Sequence, residues 1–136
     1  MTKKIDFSKY AIFVDGVTSH PSKDYQCFIE SISSLNGKGA NIERLLTAAV
    51  GISAEGGEFM EIVKKMVFQG KPWNDDNREH LIIELGDAMW YVMQACSALD
   101  VSLEDVVARN VEKLKKRDPG GEFDVYKSEN RSVDDR

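Results

Sequence analysis

The stretch from Leu81 to Leu99 reads LIIELGDAMWYVMQACSAL and constrains the fold more than any other segment of the chain. It is apolar on nearly every helical face, the pattern of a helix surrounded by others rather than one lying on a surface. Its only charges are Glu84 and Asp87. At about 100° per residue, these two and Tyr91 fall on one narrow stripe, so the carboxylates point the same way. Leaving both ionised in a desolvated helix without compensation would cost several kcal/mol each. The pattern therefore calls for something cationic at that point.

Elsewhere the apolar spacing is also helical, and no stretch shows convincing strand alternation. Pro21, the Gly37/Gly39 pair, Gly70-Lys71-Pro72 and Asp100 punctuate the segments. Four main helices are predicted. The first spans about Ser22 to Leu35, entered at Pro21, with a shorter piece around Phe7 to Val14 before it. The second spans Asn41 to Gln69 with Gly70 as its C-cap. The third runs from Asn77 to Leu99, and the fourth from Ser102 to Lys116, where Ser102 and Asp105 resemble a capping box. The expected fold class is all-α and four-helix-bundle-like, its short later connections favouring antiparallel neighbours. With 136 residues and 42% apolar content, one domain is expected over residues 1–119. A polar tail, 120–136, opens at Asp118-Pro119-Gly120-Gly121.

A net charge of −5 argues against sheathing nucleic acid, which rests on a clustered basic surface; no nucleic-acid partner is expected. Cys27 and Cys96 lack CxxC spacing, which fits a reduced, cytoplasmic compartment. Lys3, Lys4, Ile5 and Asp6 do not form the apolar core of a secretory signal, and neither export nor a membrane partner is expected.

A second acidic pair, Glu55 and Glu58, has the spacing of Glu84 and Asp87 and lies at the edge of the apolar stripe of its own helix. Gly56 and Gly57 between them each disfavour helix by up to about 1 kcal/mol, which predicts close backbone approach by a neighbour. Antiparallel packing of the second and third helices would set the two pairs facing each other. Four oxygen donors without a nearby histidine suit Mg²⁺ or Mn²⁺ rather than zinc or copper. Taken alone, Glu55 and Glu58 also read as a surface patch, with Glu58 paired to Lys64 or Lys65. The apolar setting of Glu84 and Asp87 turns the reading towards a metal. A di-iron site would want Glu-x-x-His steps, and neither His20 nor His80 follows a glutamate at that interval.

The order ExxE, 25 residues, ExxD in an all-helical chain resembles the metal signature of the MazG-type all-α nucleoside triphosphate pyrophosphohydrolases. The similarity continues through Asn110, Lys113, Leu114, Arg117 and Pro119 and covers roughly Ala40 to Pro119. The run GISAEGGEFMEIVKKMVFQGKPWN and the tail PGGEFDVYKSENR look most like the short, single-domain phage proteins of that family, notably those of cyanophages. Asp118 stands where many relatives carry an aromatic residue.

The resemblance implies Mg²⁺-dependent cleavage between the α and β phosphates, giving a nucleoside monophosphate and pyrophosphate. Glu55, Glu58, Glu84 and Asp87 would be the metal-holding catalytic carboxylates. Lys113 and Arg117, one helical turn apart, would reach the phosphate chain, with Asn110 as a nearby hydrogen-bond donor and Tyr91 against the sugar. Trp73 is the candidate for stacking on the base, a subunit contact being its other reading. Trp90 is placed on the opposite side of its helix from Glu84 and Asp87, in core or interface packing. Deoxynucleotides such as dGTP and dCTP are the substrates implied by the cyanophage branch. The alternatives are a dUTP or modified-nucleotide pyrophosphatase and a non-catalytic helical adaptor. The all-round apolar third helix, with Met89, Trp90 and Met93 around its surface, and the family's habit together imply a homo-oligomer, a dimer of dimers or homotetramer, in the cytoplasm of a phage host.

Overall fold

The computed structural model describes residues 3–131 and Val133, and among these the chain is all-helical. It divides into two compact units, Met1–Ile42 and Glu43–Arg136.

In the first unit, helix α1 (Phe7–Val17) begins where the Asp6 carboxylate accepts hydrogen bonds from the backbone N–H groups of Ser8 and Lys9. It runs three residues beyond the predicted end at Val14. Pro21 does not open the next α-helix as expected but lies in a 3-10 turn at His20–Ser22. Helix α2 (Tyr25–Gly37) starts three residues later than the predicted Ser22, because Asp24 supplies the cap, accepting from the Cys27 N–H at 2.8 Å. Lys23 ties the end of α1 to the entry of α2: its Nζ donates to the Asp15 carbonyl at 2.6 Å and pairs with the Asp15 carboxylate at 3.2 Å. No residue of α1 or α2 is buried.

The second unit contains α3 (Ile42–Phe68), α4 (Asp75–Leu99), α5 (Leu103–Arg117) and a short α6 (Val125–Glu129). Helix α3 stops at Gly70, whose φ of +71° suits glycine, and the N–H groups of Gln69 and Lys71 both reach the Lys65 carbonyl at 3.0 Å. Asn74 then caps α4 by accepting from the Asn77 N–H at 2.9 Å, and the buried Asn77 amide donates back to the Pro72 carbonyl at 2.6 Å. The link between the two long helices is thus fixed by hydrogen bonds at both ends. Asp100, left-handed at φ +51°, closes α4, with the Val101 N–H bonded to the Cys96 carbonyl. Ser102 caps α5 through the Asp105 N–H at 3.1 Å, as its spacing predicts. Helix α6, capped by Asp124, lies in the segment expected as a polar tail.

Helices α3 and α4 pack antiparallel, since Gly51 of α3 meets Tyr91 of α4 while Glu55, one turn further along α3, meets Asp87 and Glu84, earlier in α4. The expectation that α4 is enclosed on all sides is corrected. Only Asn77, Glu84 and Cys96 of this helix are buried, whereas Leu85 is 53% and Trp90 56% exposed. Helix α3 covers the flank that carries Glu84 and Tyr91, while much of the remaining apolar surface of α4 stays exposed.

Candidate active site

Glu55, Glu84 and Asp87 each present a carboxylate oxygen to one shared point, these atoms lying within 4.8 Å of one another. The three differ in surroundings: Glu84 is buried, Glu55 half-buried and Asp87 exposed. Partial burial and then the negative charges of Asp87, Glu84 and Glu58 push the Glu55 carboxyl above its ordinary range, and a hydrogen bond with Glu84 adds to the rise. Like charges gathered this closely oppose their own ionisation, and a divalent cation relieves that opposition. The donor set, all carboxylate oxygen, fits a hard ion such as Mg²⁺ or Mn²⁺.

Glu58 is exposed and outside that group of three, although close enough for its charge to act on Glu55. It does not use the two lysines that offered it a surface pairing. Lys64 and Lys65 pair instead with Glu61, at 2.5 and 3.2 Å.

Sequence reasoning missed His80. Its Nε2 lies 2.9 Å from Glu84 Oε1, a helical i,i+4 contact that orients the buried carboxylate. The signal was available in the spacing of His80 and Glu84, but a search for Glu-x-x-His ligand steps passes over a histidine that precedes the glutamate. The cluster therefore does have a histidine beside it, bonded to one of its carboxylates.

Trp90 requires a second correction. Rather than turning away from the carboxylates, it lines with Glu55, Asp87 and Tyr91 a cavity of about 290 Å³. Its ring meets Tyr91 edge to face, centroids 4.9 Å apart and planes at 87°. Tyr91 joins the acidic cluster in this cavity, as its place on the stripe implies. The close-approach glycine is Gly51, which abuts Tyr91; nothing lies within 4 Å of where a Cβ would stand on Gly56 or Gly57.

The remaining candidates lie elsewhere in the second unit. Asn110, Lys113 and Arg117 share α5, with Lys113 and Arg117 half-buried. Arg117 Nε pairs with Asp118 Oδ2 at 3.2 Å, and both residues border a cavity of about 350 Å³ with Phe123. The other Asp118 carboxylate oxygen, Oδ1, is buried without a hydrogen-bond partner. Trp73, in the link between α3 and α4, is 69% exposed.

An antiparallel helical pair that converges carboxylates on one point, beside an aromatic-walled cavity, is compatible with a divalent-cation site of the kind all-α hydrolases of phosphate esters and anhydrides use. The comparison with known families is more specific. Residues 44–121, more than half of the chain, match the MazG nucleotide pyrophosphohydrolase domain, and the chain belongs to that family. It is also similar to the Gene 37 protein of Mycobacterium phage L5, with 41% identity over 83 residues that cover 60% of this chain and 72% of the phage protein. No solved structure matches it significantly. The protein is accordingly a nucleoside triphosphate pyrophosphohydrolase of a metal-dependent family, and the reading as a non-catalytic adaptor is set aside. No helix among the described residues is long and apolar enough to cross a membrane.

Proposed function

We propose that this enzyme hydrolyses deoxynucleoside triphosphates with Mg²⁺, releasing a deoxynucleoside monophosphate and pyrophosphate, and that dGTP and dCTP are its preferred substrates. The observation that carries the reading is the convergence of Glu55, Glu84 and Asp87 within 4.8 Å. These three, with Glu58 at the edge, would hold the ion. When bound, a divalent cation at such a site offsets phosphate charge and acidifies the water that attacks phosphorus. Mn²⁺ is the expected substitute.

The chain's own cations complete the account. A protein of net charge −5 must still admit a polyanion, so the acidic site needs a positive counterpart on the ligand's far side. Lys113 and Arg117 are assigned to the β and γ phosphates, with Asn110 donating a hydrogen bond nearby, and Trp73, 69% exposed in the link between α3 and α4, is assigned to a subunit contact, the other reading of its setting. The alternative with the same chemistry is a dUTP or modified-nucleotide pyrophosphatase. Hydrolysis of all common dNTPs and NTPs with Mg²⁺, reading both products, separates these substrate assignments; release of orthophosphate would overturn the reaction itself.

The enzyme is further proposed to act as a homo-oligomer, a dimer of dimers. Ile83, Leu85, Met89, Trp90 and Met93 of α4 are each more than two-fifths exposed, and so many large apolar side chains left exposed on one helix support an interface. Light scattering over a range of concentrations tests it, and a concentration-independent monomer would refute it. The phage relative supports action in the cytoplasm of an infected host.

A further inference from the structure

We propose that Gly51 is a positioning residue that sets the Tyr91 ring as the partition between the phosphate end and the nucleoside end of the bound substrate. The inference rests on the nucleotide reading above and deepens it.

Gly51 is buried in the middle of α3, where glycine disfavours helix relative to alanine by up to about 1 kcal/mol. The reason for its presence is steric. A Cβ at this position would clash with Cγ, Cδ1 and Cε1 of Tyr91, far inside van der Waals contact, so the edge of the ring occupies the space that any other residue's side chain would need. Gly56 and Gly57, a turn and a half further along, meet nothing. On the side of its own helix the ring is met by Trp90, edge to face at 4.9 Å. The ring is therefore located by contacts from two helices.

Tyr91 is the residue that two cavities share. One is the acid-lined cavity of about 290 Å³ bordered by Glu55 and Asp87. The other, of about 520 Å³, is walled by Leu46, Val50, Gly51 and Ala54 with Thr47 and Glu43 as polar members. That volume is within the range of small-molecule sites, about 300–1,000 Å³. Phosphates belong with the carboxylates and their cation. The part of a nucleoside triphosphate joined to the phosphates is the sugar and then the base, a less polar group suited to the second cavity. A ligand spanning both must pass the Tyr91 ring, and Gly51 decides where that ring stands.

The experiment pairs Gly51→Ala with Tyr91→Ala and the double variant, measuring kcat and KM on the best substrate and Mg²⁺ affinity by calorimetry without nucleotide. Displacing the ring in Gly51→Ala should raise KM roughly tenfold or more, the scale of small misplacements in a site, with Mg²⁺ affinity unchanged. In the Tyr91→Ala background the same glycine substitution should add nothing, because the group it displaces is gone. Near-ultraviolet circular dichroism supplies a readout independent of turnover: the Trp90–Tyr91 signal should change in Gly51→Ala. Unchanged KM, an equal penalty in both backgrounds, or loss of Mg²⁺ binding together with the KM effect would each overturn the assignment. If Gly51→Ala does not fold, the double variant decides: folding with the kinetics of Tyr91→Ala supports the steric account, and failure to fold overturns it. A wild-type enzyme that hydrolyses no nucleotide would defeat the substrate reading itself, whereas an active wild type indistinguishable from Gly51→Ala would defeat only the role of Gly51.

Discussion

The acidic wall of α3 and α4 and the basic end of α5 are assigned to the same phosphate chain, the one through a cation and the other directly, yet they are organised differently. Along α4, Glu84, Asp87 and Tyr91 are aligned by helical period alone, and one antiparallel neighbour is enough to bring Glu55 to them. Charge of one sign accumulates there and adds to the rise that partial burial first imposes on the Glu55 carboxyl. At the end of α5 the opposite holds, for Arg117 is engaged by the adjacent Asp118 carboxylate. The acidic site is an arrangement of like charges awaiting a cation, whereas the basic end already has an internal counter-ion that a phosphate must displace or share. Preorganisation by repulsion and restraint by pairing should respond differently to mutation.

The largest effect is expected from Asp87→Asn. It should reduce turnover by more than roughly 100-fold, since even outer partners of metal ligands are worth 10–100-fold. The apo protein should stay folded, with equal or higher thermal stability, because one member of a like-charge group is gone. Substantial activity at saturating Mg²⁺ would show that the wall is structural.

Arg117→Ala should follow, lowering kcat/KM by one to two decades, or about 1.5–3 kcal/mol for one lost charge-assisted contact. Because charge builds on the leaving pyrophosphate, kcat should fall as well as KM rise. Unchanged kinetics would place the end of α5 outside the site and dissolve the comparison.

His80→Ala is expected to weaken Mg²⁺ binding by about tenfold through loss of the contact that orients Glu84, read by calorimetry on the apo protein. An unaltered affinity would make His80 a bystander.

The smallest effect concerns pH. The Glu55 carboxyl titrates above its ordinary range in the folded protein, so the folded state binds that proton more tightly than the unfolded one. Its contribution to apo stability is present at low pH and is lost as pH rises through the raised value. The lowered carboxyls of Asp24 and Glu61 give the opposite slope, so the decline is read as the difference between wild type and Glu55→Gln in unfolding from acid to neutral pH without metal. Saturating Mg²⁺ should reverse that difference, because the ion prefers the ionised carboxylates. No difference between the two proteins would mean that neither burial nor the neighbouring carboxylates act on Glu55.

Helical class, most helix ends to within a few residues and the stripe that carries Glu84, Asp87 and Tyr91 are legible in the order of residues. Those follow from local physics: a period of 3.6 residues aligns side chains three and four apart, and Gly70, Asp100 and Ser102 end or start helices through their own backbone and side-chain chemistry, whereas the Asn74 cap starts α4 two residues before the expected Asn77. The entry to α2 was misread because two local signals competed, and the Asp24 cap prevailed over Pro21 as the helix start. Only the tertiary structure decided which neighbours meet. It selected Glu55 rather than Glu58 for the group of three, set Trp90 beside Asp87, and gave the close-approach role to Gly51 instead of Gly56 and Gly57. Helical periodicity states the direction in which a residue points within its own helix, but the rotation and offset of one helix against another come from side-chain packing across the pair, and no residue carries that information alone.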